Sequence, residues 1–137
     1  SLKKSVRNSD CAAKALIDRQ SGELIGICTF TAYSLEKQRV SGVLQGSQPS
    51  EIGVVRLVML GVARKYQKRG FGQDLLCDFF EHVKIIHQAL PIKGVYLDAD
   101  PAAINFYARL GFVQLSATPN AFGAVPMFLA IQHILAA

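Results

Sequence analysis

Gln67, Gly70 and Gly72, spaced Q-x-x-G-x-G and set among Arg64, Lys65, Lys68 and Arg69, are where residue type and spacing first point to chemistry. Glycines let a backbone approach an anion closely and take conformations closed to other residues. Such a stretch can cradle a phosphate, meet a nucleic acid, or stand as a solvated basic turn. A P-loop would need G-x-x-x-x-G-K-[ST] and a dinucleotide fingerprint G-x-G-x-x-G; neither pattern occurs. The other reactive side chains are scattered. Cys11, Cys28 and Cys77 form no C-x-x-C pair, which fits small thiols in a reducing compartment. His82, His87 and His133 lack zinc-ligand spacing, so no metal is expected.

The flanking elements decide between those readings. "IGVVRLVML" runs almost without a break in apolar, β-branched residues, the pattern of a central strand buried on both faces, with Arg56 its single charge. After Gly72, the apolar Leu75, Leu76, Phe79, Phe80, Val83 and Ile86 recur at helical steps to about Ala89. The basic loop therefore joins the carboxyl end of a strand to the N-terminus of a helix, where free N–H groups and the positive dipole end favour an anion. A phosphate cradle is the reading this context selects.

Elsewhere, "CAAKALID" and "LIGICTFTAYSL" flank the polar turn "RQSGE" and predict a hairpin. "EKQRVSGVLQGSQPSE" reads as a loop of some mobility. "GVYLDA" predicts a short buried strand, and "PAAINFYARLGF" a helix with Pro101 in its first turn and Gly111 just past its end. "FVQL" and "VPMFLAI" predict two closing strands. The sum is a mixed α/β fold, mostly antiparallel with one parallel crossover.

With 137 residues, half of them hydrophobic and 18% charged, the chain is expected to form one packed domain. Its net charge of +5 suits an anionic partner, either a phosphate-rich cofactor or a nucleic acid. "SLKKSVRNSD" is not followed by a signal-peptide core, and "AVPMFLAIQHILAA" falls short of the ~20 apolar residues of a membrane span. A soluble, cytoplasmic protein with no membrane partner is expected. The chain opens on Ser1 rather than Met, as a trimmed or partial chain would.

"VVRLVMLGVARKYQKRGFGQDLL" and "PAAINFYARLGFVQL" together resemble the acetyl-CoA motif and the downstream helix-turn-strand signature of the GNAT N-acetyltransferase superfamily. The two lie in the family's order, and the resemblance covers most of residues 11 to 131. It implies the GNAT fold: a twisted mixed sheet with helices on both faces and a splayed central strand pair. It implies one acetyltransferase domain over residues 1–137, acetyl-CoA as co-substrate, and no metal. It places the CoA diphosphate on the backbone of Gln67, Lys68, Arg69, Gly70, Phe71 and Gly72. The pantetheine arm falls along Leu60, Gly61 and Val62, and Asn105 and Phe106 face the cofactor.

A narrower resemblance is to the acetyltransferase toxins of bacterial toxin–antitoxin pairs, which acetylate the amino acid on aminoacyl-tRNA. It implies Tyr107 as the catalytic tyrosine and Arg56 as a substrate-binding residue. A small ribbon-helix-helix antitoxin is the partner implied. Met59 stands where many members carry a second Arg. The family's N-terminal helical segment, with its Cys-Gly and Leu-Asn pattern, is missing from this stretch. A homodimer is compatible with these residues and not specified by them.

Acetyl transfer needs a neutral amine, a polarised carbonyl and a proton for the departing thiolate. A free α-amino group titrates near ~7.7–8.0, so an acid matters more than a strong base. Tyr107 is the candidate acid, with a core aromatic as its bland alternative. Backbone N–H groups near Leu60 to Val62 are candidates to polarise the carbonyl. Glu51 reads as a solvated carboxylate, Asp98 and Asp100 as helix caps, and His82 and His87 as solvent-facing. Lys3, Lys4 and Arg7 read as a frayed basic terminus, and Arg64 and Lys65 as side chains free to meet tRNA. Alternatives from other classes are acetylation of a small amine or protein N-terminus, and a non-catalytic module that binds CoA or antitoxin.

Overall fold

The computed structural model describes residues 2–7 and 11–137, with backbone alone for residues 2, 5, 6 and 7. The side chain of Arg7 therefore lies outside the described residues. Among the described residues, seven strands pair in the order β1-β2-β3-β4-β5-β7-β6. They are β1 (Leu2–Arg7), β2 (Ala12–Ile17), β3 (Leu24–Glu36), β4 (Glu51–Val62), β5 (Gly94–Ala99), β6 (Val113–Gln114) and β7 (Val125–Ala130). Helices are α1 (Phe71–Ala89), α2 (Ile104–Arg109) and α3 (Ile131–Ala136). The pairings β1–β2, β2–β3, β5–β7 and β6–β7 are antiparallel. β4 and β5 pair in parallel, at Val55↔Val95 and Arg56↔Tyr96, the parallel crossover expected from the order of elements.

The chain divides into two compact units, one of Ser1–Thr31 with Leu57–Gln88 and one of Ala32–Arg56 with Ala89–Ala137. In the first, α1 buries Leu75, Leu76, Phe79 and Val83, the stripe that the helical spacing predicts. Gly26 on β3 allows this packing. A Cβ there would lie 2.7 Å from Leu75 Cδ1 and 2.9 Å from the Gly61 carbonyl, well inside van der Waals contact. Phe30 meets Phe79 at 5.0 Å between ring centroids, a tilted aromatic pair. Phe30 also meets His82 at 5.4 Å, so His82 is half-buried against a ring rather than solvent-facing. His87 is half-buried too, with its Nδ1 out of solvent. The basic terminus forms a strand, β1, where Lys3 and Lys4 are exposed and Lys3 reaches Asp78 at 3.7 Å.

In the second unit, Leu35, Val40, Leu44, Ile52, Val54, Tyr96, Phe128 and Ala130 form one apolar cluster. Val40 and Leu44 correct the mobility expected of the loop at residues 36–51. That stretch opens with a 3-10 helix, Lys37–Val40, and Val40 is fully buried. Its many Gly, Ser and Gln residues hid two apolar anchors four apart. A second correction concerns β4. Ile52, Val54, Val55 and Leu57 are buried as expected, but Val58 and Met59 are 51% and 47% exposed. A third concerns the C-terminus, where "IQHILA" forms α3 and buries Ile131 and Ile134. Among the described residues, no helix is long and apolar enough to cross a membrane.

Val40→Ala removes two buried methyl groups and should cost about 2 kcal/mol of unfolding free energy, read by chemical denaturation; a surface loop would show almost no change. Burial, with Lys14 nearby, holds the His82 imidazolium below its ordinary pKa of 6.5. A depressed histidine favours the neutral form on folding, so its contribution is present above the unfolded pKa. It is lost as pH falls through the folded value. Stability measured across that window should drop toward acid, and His82→Gln should flatten the drop.

Candidate active site

The basic loop is held by its own side chains. After β4, a 3-10 turn spans Arg64–Tyr66, and the Gln67 amide Nε2 donates to the Val62 carbonyl at 3.0 Å. That bond ties the loop to the strand end that contains Leu60, Gly61 and Val62. The Ala63 N–H donates to the Ile25 carbonyl of β3 at 2.8 Å and fixes where β4 stops. Tyr66 is buried with Leu16, Ile25 and Leu75, and Leu60, Val62 and Phe71 pack against that cluster. The Tyr66 hydroxyl reaches Asp18 Oδ2 at 3.4 Å. Asp18 also accepts from the Gln20 N–H and the Ser21 hydroxyl, and those bonds, the Gln20 one foremost, hold its pKa below the usual carboxylate value. The hairpin turn between β2 and β3 thus buttresses the loop.

Lys65 is a second strut from that turn. Its Nζ lies 3.1 Å and 3.2 Å from the two Glu23 carboxylate oxygens, and that bond raises its pKa. The expectation that Lys65 is free to meet tRNA is corrected: its charge has an acidic partner within the same unit. Arg64 is exposed. Arg69 is exposed and lies over the rings of Tyr66 and Phe71, at 5.6 Å and 5.4 Å, which keeps its guanidinium beside the loop.

Two residues turn the backbone. Lys68 has φ 63 and Gly70 φ 84, both in the left-handed region. The glycine is an ordinary occupant; the lysine carries a cost of about 1–2 kcal/mol that the pinned loop must meet. Gly72, expected to supply a special conformation, lies instead inside α1 and is helical. A Cβ on Gly70 would meet nothing within 4 Å, so the glycine serves conformation and leaves open space above it. α1 begins at Phe71, and the Asp74 N–H closes its first turn on the Gly70 carbonyl at 3.1 Å. Amides at the start of a helix have no carbonyl behind them, and their dipoles add, so this backbone favours a polyanion such as a diphosphate.

In the second unit, α2 carries Asn105, Phe106 and Tyr107. Asp100 caps the preceding 3-10 helix by accepting from the Ala102 N–H at 2.9 Å, the capping role read from sequence. Asp98 does something else: it pairs with Arg56 at 3.1 Å and accepts from the Tyr96 hydroxyl at 2.8 Å. Tyr107 is 8% exposed, set edge-on between Phe106 at 5.2 Å and Phe112 at 5.5 Å. This packing holds the ring in place, which both a core aromatic and a proton donor require. Glu51 is exposed as expected and accepts from Ser34 at 2.6 Å. Sequence reasoning missed Asp18, Glu23 and Tyr66. The signal present was an acidic residue at each end of the "RQSGE" turn, opposite in sign to the loop.

With this geometry in place, the class follows. The acetyltransferase (GNAT) domain model matches residues 13–114, and the chain belongs to that family. It is an acetyltransferase by family and by fold. A crystal structure of a bacterial toxin is 99% identical over 95% of this chain and 73% of that one, with a TM-score of 0.92. The KacTA–DNA complex matches with a TM-score of 0.77 at 22% identity, covering 95% of this chain and 74% of that one. AtaT complexed with acetyl-methionyl-tRNAfMet matches at 0.75 and 22%, covering 95% and 76%. No curated protein matches the chain.

Exchanging the two left-handed residues tests the loop. Gly70→Ala should lower unfolding free energy by about 1 kcal/mol, whereas Lys68→Gly should be neutral or slightly stabilising, as read by denaturant titration. The opposite order would show that the loop backbone is not strained as described.

Proposed function

We propose that this chain is an acetyl-CoA-dependent N-acetyltransferase that transfers acetyl to the α-amino group of aminoacyl-tRNA, acting in the cytoplasm as a toxin that blocks translation. The observation that carries the donor half is the Gln67–Gly72 loop, with its left-handed turn at Lys68 and Gly70 leading into the first turn of α1. Such a backbone fits the diphosphate of CoA. The acceptor half is supported by the 99% identity to a bacterial toxin and by the fold shared with AtaT, solved on acetyl-methionyl-tRNAfMet. The AtaT–AtaR structure supports, in the same way, a small antitoxin as partner.

Each residue then has a role. Gln67 to Gly72 hold the diphosphate, chiefly through backbone N–H groups. Leu60, Gly61 and Val62 carry the pantetheine arm along β4, with their amides available to polarise the thioester carbonyl. Asn105 and Phe106 flank the cofactor. Bound acetyl-CoA supplies the activated acetyl group. The acceptor's α-amino group needs little help from a base, because a useful fraction is neutral near pH 7. Tyr107 holds the proton that the leaving thiolate requires, on a ring that Phe106 and Phe112 keep in place.

Incubation with labelled acetyl-CoA and separate pools of charged tRNA, small amines and peptides tests the acceptor. Label is expected in the tRNA fraction and should fall with added salt; label confined to small amines would sink the tRNA reading. Tyr107→Phe should lower kcat by about 100-fold while CoA still raises the melting temperature. Unchanged turnover in that variant would remove Tyr107 from catalysis.

A further inference from the structure

Five side chains at the edge of the second unit's apolar cluster form a connected array. Tyr33 on β3, Arg56 on β4, and Tyr96 and Asp98 on β5 come from three adjacent strands, and Arg39 joins them from the 3-10 helix. Tyr96 and Asp98 are two apart on one strand, so the pleat puts them on one face. Tyr33 and Tyr96 stack at 5.3 Å with an interplanar angle of 20°. Arg39 lies over the Tyr96 ring at 5.0 Å, and Arg56 over the Tyr33 ring at 5.2 Å. The Tyr96 hydroxyl accepts from Arg39 Nη2 at 2.9 Å and donates to Asp98 Oδ1 at 2.8 Å. Asp98 Oδ2 accepts from Arg56 Nη2 at 3.1 Å.

The charges in this array do not balance. Two guanidinium groups share one carboxylate, leaving one positive charge over. Arg56 Nε is buried and, among the described residues, has no hydrogen-bond partner. A guanidinium has five N–H donors, and Asp98 occupies one of those on Arg56. A buried N–H donor without an acceptor is costly, and an array serving stability alone would gain from a second acceptor there. The side chain of Arg56 is nevertheless 35% exposed and Arg39 is exposed, so an outside anion can reach both.

We propose that this array is a phosphate seat for the nucleic-acid acceptor, in which Arg39 and Arg56 take the phosphate oxygens and Asp98 and Tyr96 are positioning residues that aim them. The inference rests on the aminoacyl-tRNA reading above. Planar guanidinium groups match phosphate bidentately, and rings beneath them fix their planes, so little side-chain freedom remains to be lost on binding. Asp98 reduces the net charge of the seat while fixing its geometry. That opposition makes the idea testable.

The probe is an uncharged, fluorescent RNA hairpin with a tRNA-like acceptor stem, titrated by anisotropy at several salt concentrations. Binding of this probe requires no acetyl transfer. Asp98→Asn deletes a negative charge, and simple attraction to a polyanion predicts tighter binding; the positioning role predicts binding about tenfold weaker. Tyr96→Phe, which keeps the ring and cuts the link, should weaken binding in the same direction and stands in if Asp98→Asn does not fold. Arg39→Gln should lower the salt slope by about 1, with Arg39→Lys recovering only part of the affinity. Tighter or unchanged binding in Asp98→Asn and Tyr96→Phe, or no hairpin binding by the unaltered chain, overturns the proposal. Hairpin binding that is intact where charged tRNA is not acetylated overturns the acceptor reading and leaves the seat standing.

Discussion

The burial of one ring, Tyr66, sets up the loop on which the donor half of this protein rests. A basic segment with two left-handed residues has every reason to wander: its charges repel and its lysine is strained. Tyr66 removes that freedom by entering the cluster of Leu16, Ile25 and Leu75, with its hydroxyl turned to Asp18. Its ring then supports Lys65 and Arg69, at 5.6 Å each, and meets Phe71 edge-on at 5.9 Å. The residue that starts α1 and the residues that carry the charge are therefore placed by the same side chain. An aromatic with a polar tip suits this position because its body joins the core and its oxygen still finds a partner.

Much of this was legible in the sequence, and the gaps have physical causes. The hairpin, the long amphipathic helix and the strand–loop–helix junction are governed by local period and by glycine, which a sequence displays directly. Residues 36–51 form the loop that composition indicates, but composition hides its two anchors: Val40 and Leu44 are buried by what they pack on, not by their neighbours in the chain. Val58 and Met59 look like core and are exposed, since an apolar run does not say where a strand's cover ends. "IQHILA" sits directly after a buried strand, so its helical period was absorbed into the preceding apolar run.

The candidate site divides along the same line. Gln67 and Gly70 were found because backbone chemistry depends on residue type at a fixed spacing. Asp18 and Glu23 were missed because their role comes from tertiary proximity, 48 and 42 residues away from the side chains they steady. "DAD" shows both outcomes within three residues. Asp100 acts locally, as a cap, and could be read; Asp98 acts across strands on Arg56 and could not. A carboxylate's task is set by the nearest cation in space, which a linear motif does not contain.

Both compact units are assembled from separated stretches of chain, and this bears on how the molecule forms. The first needs residues from Leu57 onward to return to Ser1–Thr31, and the second needs Ala89–Ala137 to return to Ala32–Arg56. Within the second, β5 gains its six-residue antiparallel partner when β7 arrives, after the 25 intervening residues 100–124. Loop closure on that scale is paid in entropy before the contacts reward it, and it slows folding. During synthesis, β5 emerges well before its partner β7, so the nascent chain passes through a stage in which one edge of this apolar strand is unpaired and invites association with other chains.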